Sequence, residues 1–178
     1  MLLRVDDLSG THAVAAAIAG VARAGDVIVL SGDMGSGKTA FAQGFGRALG
    51  VTEPITSPTF TLVHSYPLPH RLTLHHADIY RLDRTSDIDD LALPELAAFN
   101  GIVLVEWGDV AGSALGDHLE VRLHQVDDDD LTVADVPEEP SEDEFGDAGS
   151  REIELRAVGA AWSARWDRIT RALEGFRC

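Results

Sequence analysis

Gly32-Asp33-Met34-Gly35-Ser36-Gly37-Lys38-Thr39 fits the pattern G-x-x-x-x-G-K-[ST], a spacing suited to holding the phosphates of a nucleotide. The run Val27-Ile28-Val29-Leu30 precedes it as a β-rich apolar stretch, and Ala40 to Leu49 can continue as a helix. The motif therefore has the strand, loop and helix it needs to be more than a string match. Glycines at 32, 35 and 37 allow positive φ and bring successive backbone N–H groups onto phosphate oxygens, while the helix start adds partial positive charge. The expected nucleotide cradle is Asp33, Met34, Gly35, Ser36, Gly37, Lys38, Thr39 and Ala40. Lys38 reaches the β- and γ-phosphates, and the Thr39 hydroxyl ligates Mg²⁺.

Two carboxylates further along suit the same metal. Ile102-Val103-Leu104-Val105 is a continuous apolar run, as in a central parallel strand, and Glu106 follows it where a Mg²⁺-associated acid is expected, in place of the more usual Asp. Asp78 lies just past a second strand, Arg71 to Ala77, also a common place for a carboxylate serving Mg²⁺. His75 and His76 stand beside it, but no cysteine is near and Mg²⁺ prefers oxygen, so His76 is expected to pack or hydrogen-bond instead of binding zinc. Between Pro54 and Thr59, the hydroxyls of Thr56, Ser57 and Thr59 occupy the place where nucleotide hydrolases carry a switch segment that reads the γ-phosphate.

Guanine selection commonly uses N-K-x-D, and the only asparagine, Asn100, is followed by Gly101, so ATP is the expected nucleotide. A small-molecule or nucleotide kinase would need an acceptor site and usually an Arg-bearing lid. Arg81 and Arg84 are the only basic residues near a candidate metal carboxylate, and no acceptor site is identifiable. A non-catalytic, nucleotide-dependent binding module stays open, because no residue stands out as the base that activates water.

These groups must be positioned by an α/β fold. The pattern predicts an edge strand at Leu2 to Val5, a helix from about His12 to Ala24 and the strand at Val27 to Ser31, followed by the loop and a helix ending at Gly50. It then gives a strand from Phe60, a turn at Pro67 to His70, and the returning strand of a hairpin. Short helical pieces follow between Asp87 and Phe99, one of them starting at Leu93-Pro94-Glu95. Leu119 to Val126 and Arg151 to Ala157 alternate as two strands of one hairpin, Ile153 and Leu155 sharing a face. Ser163 to Phe176 reads as a final helix, with Trp162, Trp166, Ile169 and Leu173 as its packing stripe. The expected fold is a three-layer, P-loop NTPase-like α/β domain with a mainly parallel central sheet and antiparallel additions.

The 178 residues suit one domain, residues 1–178. Net charge is −16, and 11 acids with no base fall between Asp127 and Ser150; taking those 11 from the 30 acids leaves 19 against 14 bases, a balance of −5. The acidity is thus mostly local, in a segment at 127–150 that reads as a disordered or solvated insertion. The rest lacks the basic surface that drives affinity for a phosphate backbone, so direct nucleic-acid binding is expected to be slight. No secretory leader or membrane-length apolar run is seen, and a lone cysteine, Cys178, agrees with a cytoplasmic setting.

Taken in order, the phosphate loop, Ser57-Pro58-Thr59-Phe60, His76-Ala77-Asp78-Ile79-Tyr80-Arg81 and Val105-Glu106-Trp107 closely resemble the bacterial TsaE family, the small ATPase of tRNA threonylcarbamoyladenosine biosynthesis. The resemblance covers about residues 8 to 126, with weaker agreement at Arg151 to Gly159; the acidic insertion and the long final helix depart from the family pattern. It implies a cytoplasmic ATPase, slow alone, that uses ATP and Mg²⁺. It would drive or reset the TsaB- and TsaD-type subunits that place threonylcarbamoyl on adenosine 37 of tRNAs reading ANN codons, with tRNA handled by those partners. By the same resemblance Lys38 and Thr39 hold phosphate and metal, Asp78 and Glu106 serve the metal and the attacking water, and Ser57, Thr59, Tyr80 and Trp107 form the switch and partner-facing set.

Overall fold

The computed structural model describes residues 1–82, 85–126 and 148–177. Its strands are β1 (Leu2–Asp7), β2 (Val27–Ser31), β3 (Val63–Pro67), β4 (Thr73–Asp78), β5 (Gly101–Glu106), β6 (His118–Gln125) and β7 (Ala148–Val158). Its α-helices are α1 (Leu8–Ala19), α2 (Lys38–Leu49), α3 (Thr85–Asp89), α4 (Leu93–Ala98), α5 (Ala160–Ser163) and α6 (Trp166–Ala172). The strands form one seven-stranded sheet in the order β1-β7-β6-β2-β5-β4-β3. The centre is parallel, with β2 paired to β5 and β6, and β4 paired to β5. The hairpins β3–β4 and β6–β7 and the pair β1–β7 are antiparallel.

Every residue of β2 is buried, because the strand is covered on both faces. Ile28 and Leu30 point into a core shared with Val14 and Ile18 of α1, Phe41 and Phe45 of α2, Trp162 of α5 and Ile169 of α6. Val27 and Val29 point into a second core with Ala77, Val103, Val105, Ile88 and Leu93. Full burial of such side chains contributes about 1.5–3 kcal/mol each, which makes β2 the axis of the domain. Among the described residues no helix is long and apolar enough to cross a membrane.

Several boundaries differ from those the pattern suggests, each for a local reason. Helix α1 starts directly after β1, at Leu8 instead of near His12, because the Asp7 carboxylate accepts the Gly10 N–H at 2.7 Å and caps the helix there. β3 starts at Val63 and not at Phe60. Thr59 to Leu62 make a turn in which Leu62 N–H reaches the Pro58 carbonyl at 2.7 Å, and Leu62 adopts a φ of 64°. The C-terminal stripe is buried as expected at Trp162, Ile169 and Leu173, but the helix is broken into α5 and α6. The break falls at Ala164–Arg165, where the Arg165 guanidinium turns inward to Asp26 and lies 4.2 Å over the Trp162 ring. β7 begins at Ala148, inside the stretch read as an insertion, and residues 127–147 of that stretch lie outside the described residues.

The β3–β4 hairpin carries a pH-sensitive contact. His75 Nδ1 meets Ser65 Oγ at 2.8 Å, and burial lowers the His75 pKa below its ordinary 6.5. A folded value below the unfolded one means that the unfolded chain takes up the proton first, so stability is present above 6.5 and is lost as pH falls below it. The melting temperature of the wild-type chain should therefore drop more steeply than that of His75→Gln as pH goes from about 7 to about 5.5. Parallel profiles would remove this role.

Candidate functional site

Parallel partners on both sides of β2 leave a crevice beyond its carboxyl end, where open α/β sheets take ligands. The phosphate loop starts there. Gly32, Gly35 and Gly37 have φ of 132, 80 and 100°, in the range expected of them from sequence. Gly37 is the N-cap of α2 and makes no side-chain cap, so the first N–H groups of the helix are left for a ligand in the crevice.

Strand register brings the two acids together. Asp78 of β4 stands opposite Glu106 of β5, and Glu106 in turn stands opposite Leu30 at the end of β2. Glu106 is 2% exposed and accepts a hydrogen bond from Thr39 Oγ1, at 3.1 Å to Oε1 and 3.3 Å to Oε2. His76 Nε2 lies 2.9 Å from Glu106 Oε1, while the buried Nδ1 has no hydrogen-bond partner among the described residues. The ring proton accordingly sits on Nε2 and is donated to the carboxylate, which fixes its orientation.

Asp78 has a different environment. Its Oδ2 accepts from Ser57 Oγ at 2.7 Å and from Thr59 Oγ1 at 2.9 Å, and its Oδ1 from the Tyr80 N–H at 3.0 Å. Ser57 and Thr59 are also 2.8 Å apart. The hydroxyl-bearing loop is thus tied to β4 through this one carboxylate.

Lys38 Nζ donates to the Gly32 and Asp33 carbonyls at 2.8 and 2.7 Å and sits 3.7 Å above the Trp107 ring. Trp107 is held at a φ of 63°, an uncommon conformation for a bulky residue, by its N–H bond to the Leu30 carbonyl at 2.8 Å. That conformation turns the indole toward the lysine and toward Tyr80, whose ring lies 4.8 Å away.

A cavity of about 480 Å³ gathers most of these groups: Met34, Gly35, Gly37, Lys38, Thr39 and Ala40 from the loop and helix, Ser57 and Thr59, and Asp78, Tyr80, Glu106 and Trp107. Asp33 and Ser36 of the expected cradle do not line it. A second cavity, about 350 Å³ between the end of α2 and residues 51–55, is remote from these groups. Arg81, placed from sequence near a candidate metal carboxylate, also lines the site, as does Arg151, which sequence reasoning missed; His76, expected to pack or hydrogen-bond, bonds to Glu106. The alternation of β4 places His76 on the face it shares with Asp78, as expected from sequence.

The donors suit a hard cation. Thr39, Asp78 and Glu106 offer only oxygen, as Mg²⁺ prefers. Among the described residues no group of three His, Cys, Asp or Glu could hold a metal on its own. A site of this kind suits an ion bound partly through substrate phosphates. Ser36 Oγ in the loop is buried without a hydrogen-bond partner among the described residues, a polar group that an incoming ligand could satisfy.

The model of the family "Threonylcarbamoyl adenosine biosynthesis protein TsaE" matches residues 5–133. The tRNA threonylcarbamoyladenosine biosynthesis protein TsaE of Bacillus subtilis is 39% identical over 124 residues, which span 69% of this chain and 77% of the relative. The protein of the same name from Mycobacterium tuberculosis is 42% identical over 120 residues, covering 62% and 71%. That from Streptomyces coelicolor is 33% identical over 149 residues, covering 82% and 89%. Among solved structures, the crystal structure of Bacillus subtilis YdiB superposes with a TM-score of 0.68 at 28% identity, over 96% of this chain and 94% of that one.

Proposed function

The chain belongs to the threonylcarbamoyl adenosine biosynthesis protein TsaE family, and on that footing we propose that it is a Mg²⁺-dependent ATPase supporting threonylcarbamoylation of adenosine 37 in tRNA. It works in the cytoplasm, through ATP-dependent association with TsaB- and TsaD-type subunits of the synthase. The two-sided cores around β2 support reading the domain as a three-layer, P-loop NTPase-like fold. The observation that carries the proposal is the convergence of Lys38, Thr39, Glu106 and Asp78 on one cavity at the N-terminus of α2.

In this reading the loop amides and the start of α2 bind the phosphate chain, and Lys38 exchanges its bonds to the Gly32 and Asp33 carbonyls for phosphate oxygens. Thr39, Glu106 and Asp78 would hold Mg²⁺, which neutralises charge on the β- and γ-phosphates when bound. Glu106, oriented by His76, orients the attacking water. Asp78 couples the site to the loop bearing Ser57 and Thr59, so that occupancy by a triphosphate can reposition that loop. Phe60, 86% exposed, and Tyr80 extend from the same region toward solvent, where a partner subunit can sense the change.

The test is size-exclusion chromatography of the full chain with the TsaB- and TsaD-type subunits, with and without ATP and Mg²⁺. Wild type should co-elute in a nucleotide-dependent way. Lys38→Ala should weaken ATP binding about 10- to 100-fold, the worth of charge-assisted hydrogen bonds, and should fail to co-elute at ATP concentrations that saturate wild type. Association indifferent to nucleotide, or to Lys38→Ala, would overturn the proposal.

A further inference from the structure

The segment that joins α2 to the hydroxyl-bearing loop is held in place by side chains. Among the described residues, residues 52–57 make no backbone-to-backbone hydrogen bond. Val51 is tied back to the helix, its N–H donating to the Gly46 carbonyl at 2.9 Å, and the next such bonds belong to the turn at Pro58. Between them one residue reaches the core. Ile55, 6% exposed, packs into the cluster that holds Phe41, Phe45 and Leu74.

α2 is shaped to receive that residue. At Gly46 a Cβ would collide with Ile55 Cδ1 and stand 3.1 Å from Leu74 Cδ2, so only glycine leaves the notch open. On the preceding turn, Gln43 Nε2 donates to the Ile55 carbonyl at 3.0 Å. Positions 43 and 46 are neighbours on one face of the helix, and together they grip the side chain and the backbone of one residue. Just beyond it, Ser57 Oγ meets Asp78 Oδ2 at 2.7 Å and Thr59 Oγ1 meets it at 2.9 Å. Gln43, Gly46 and Ile55 do not line the cavity around Lys38 and Glu106. Gln43 and Ile55 instead border the second cavity, of about 350 Å³, which gives the segment room to shift once it is released.

We propose that Gln43 and Gly46 are positioning residues: by seating Ile55 they fix the root of the loop, and so set where Ser57 and Thr59 meet Asp78. The inference rests on the ATPase reading above, in which α2 takes up phosphate at its first turn and Asp78 serves the metal. It adds that the loop is aligned from the helix, through a contact outside the nucleotide cavity. Loss of the seat should therefore slow turnover and spare the binding of ADP, which that reading assigns to the phosphate loop.

Phosphate release by the full chain at saturating ATP and Mg²⁺, read beside the calorimetric Kd for ADP, tests it. Gln43→Met, of similar length but without a donor, should lower kcat about 3- to 10-fold, the worth of one hydrogen bond, with Kd for ADP within about twofold of wild type. Gln43→Lys, which restores a donor of sufficient reach, should bring kcat back to within about twofold of wild type. Gly46→Ala, which favours the helix but fills the notch, should lower kcat by a similar factor and serves if the Met variant folds poorly. Adding Ile55→Val deletes the Cδ1 methyl that the new Cβ meets, so the double variant should recover most of the loss. Wild-type kcat in either Gln43→Met or Gly46→Ala, a parallel loss of ADP affinity, or no recovery in the Lys or double variant would overturn the proposal. A wild-type chain that neither binds ADP nor releases phosphate would instead overturn the ATPase reading and take this one with it.

Discussion

A Glu106→Gln chain should bind ATP within about threefold of wild type and release phosphate about 10²- to 10³-fold more slowly, the range seen when one preorganised electrostatic group is removed from an active site. The substitution is close to isosteric, so a packed position is kept. Its amide oxygen can still accept from His76 Nε2 or Thr39 Oγ1, which now lie 2.9 and 3.1 Å from Oε1. What disappears is the negative charge proposed to hold the metal and orient water. In the proposed reading phosphate binding rests mainly on Lys38 and the loop amides, so affinity should survive where turnover does not. Phosphate release at saturating ATP, read beside calorimetric Kd, separates the two effects, and wild-type turnover in Glu106→Gln would sink the role given to this carboxylate.

The second large effect is on stability. Asp26 and Arg165 form a bidentate pair, Nη1 donating to Oδ2 at 2.8 Å and Nη2 to Oδ1, with both side chains 7% exposed. Arg165 also donates to the Val21 and Ala161 carbonyls at 3.1 Å, so one guanidinium joins the turn before β2 to the C-terminal helices. Arg165→Met should lower unfolding free energy by about 3–5 kcal/mol, because it leaves the Asp26 carboxylate buried with the Arg23 N–H, at 2.7 Å, as its remaining donor among the described residues. Urea denaturation of the nucleotide-free chain measures this. The double variant Asp26→Leu, Arg165→Met should recover much of the loss, since the desolvation cost goes with the charges. A single variant as stable as wild type would remove the pair from any account of the fold.

The parts of the site legible in the sequence are those fixed by local rules. The phosphate loop is a contiguous motif whose glycines adopt the backbone it demands, and Glu106 ends an apolar run of the kind a central strand carries. Asp78 was placeable because its strand returns from a hairpin whose turn was marked by Pro67 and Pro69. What escaped depends on distant register. Arg151 reads in sequence as one more charge on an alternating strand, and only the position of β7 against β6 brings it beside Gly37. His76 reads as a packing or hydrogen-bonding residue, and only the alignment of β4 with β5 identifies Glu106 as its partner. The same limit explains the C-terminal helix. Its apolar stripe was visible, but the partner that bends the chain at Arg165 is Asp26, a residue from the other end of the sequence.

The pairing of β1 with β7 has a consequence for how the protein is made. β1 has its sheet partner in β7, which is synthesised much later, so Leu3 must wait for Ile153 and Val5 for Arg151. Helices and hairpins with near neighbours can form during elongation, whereas this closure pays the entropy of a loop spanning most of the chain. Until β7 arrives, β6 is an uncovered edge, the kind of surface on which incomplete chains associate. The cavity beside Gly37 and Lys38 gains its Arg151 wall in that same step, so a nascent chain completes this cavity only when its sheet is complete.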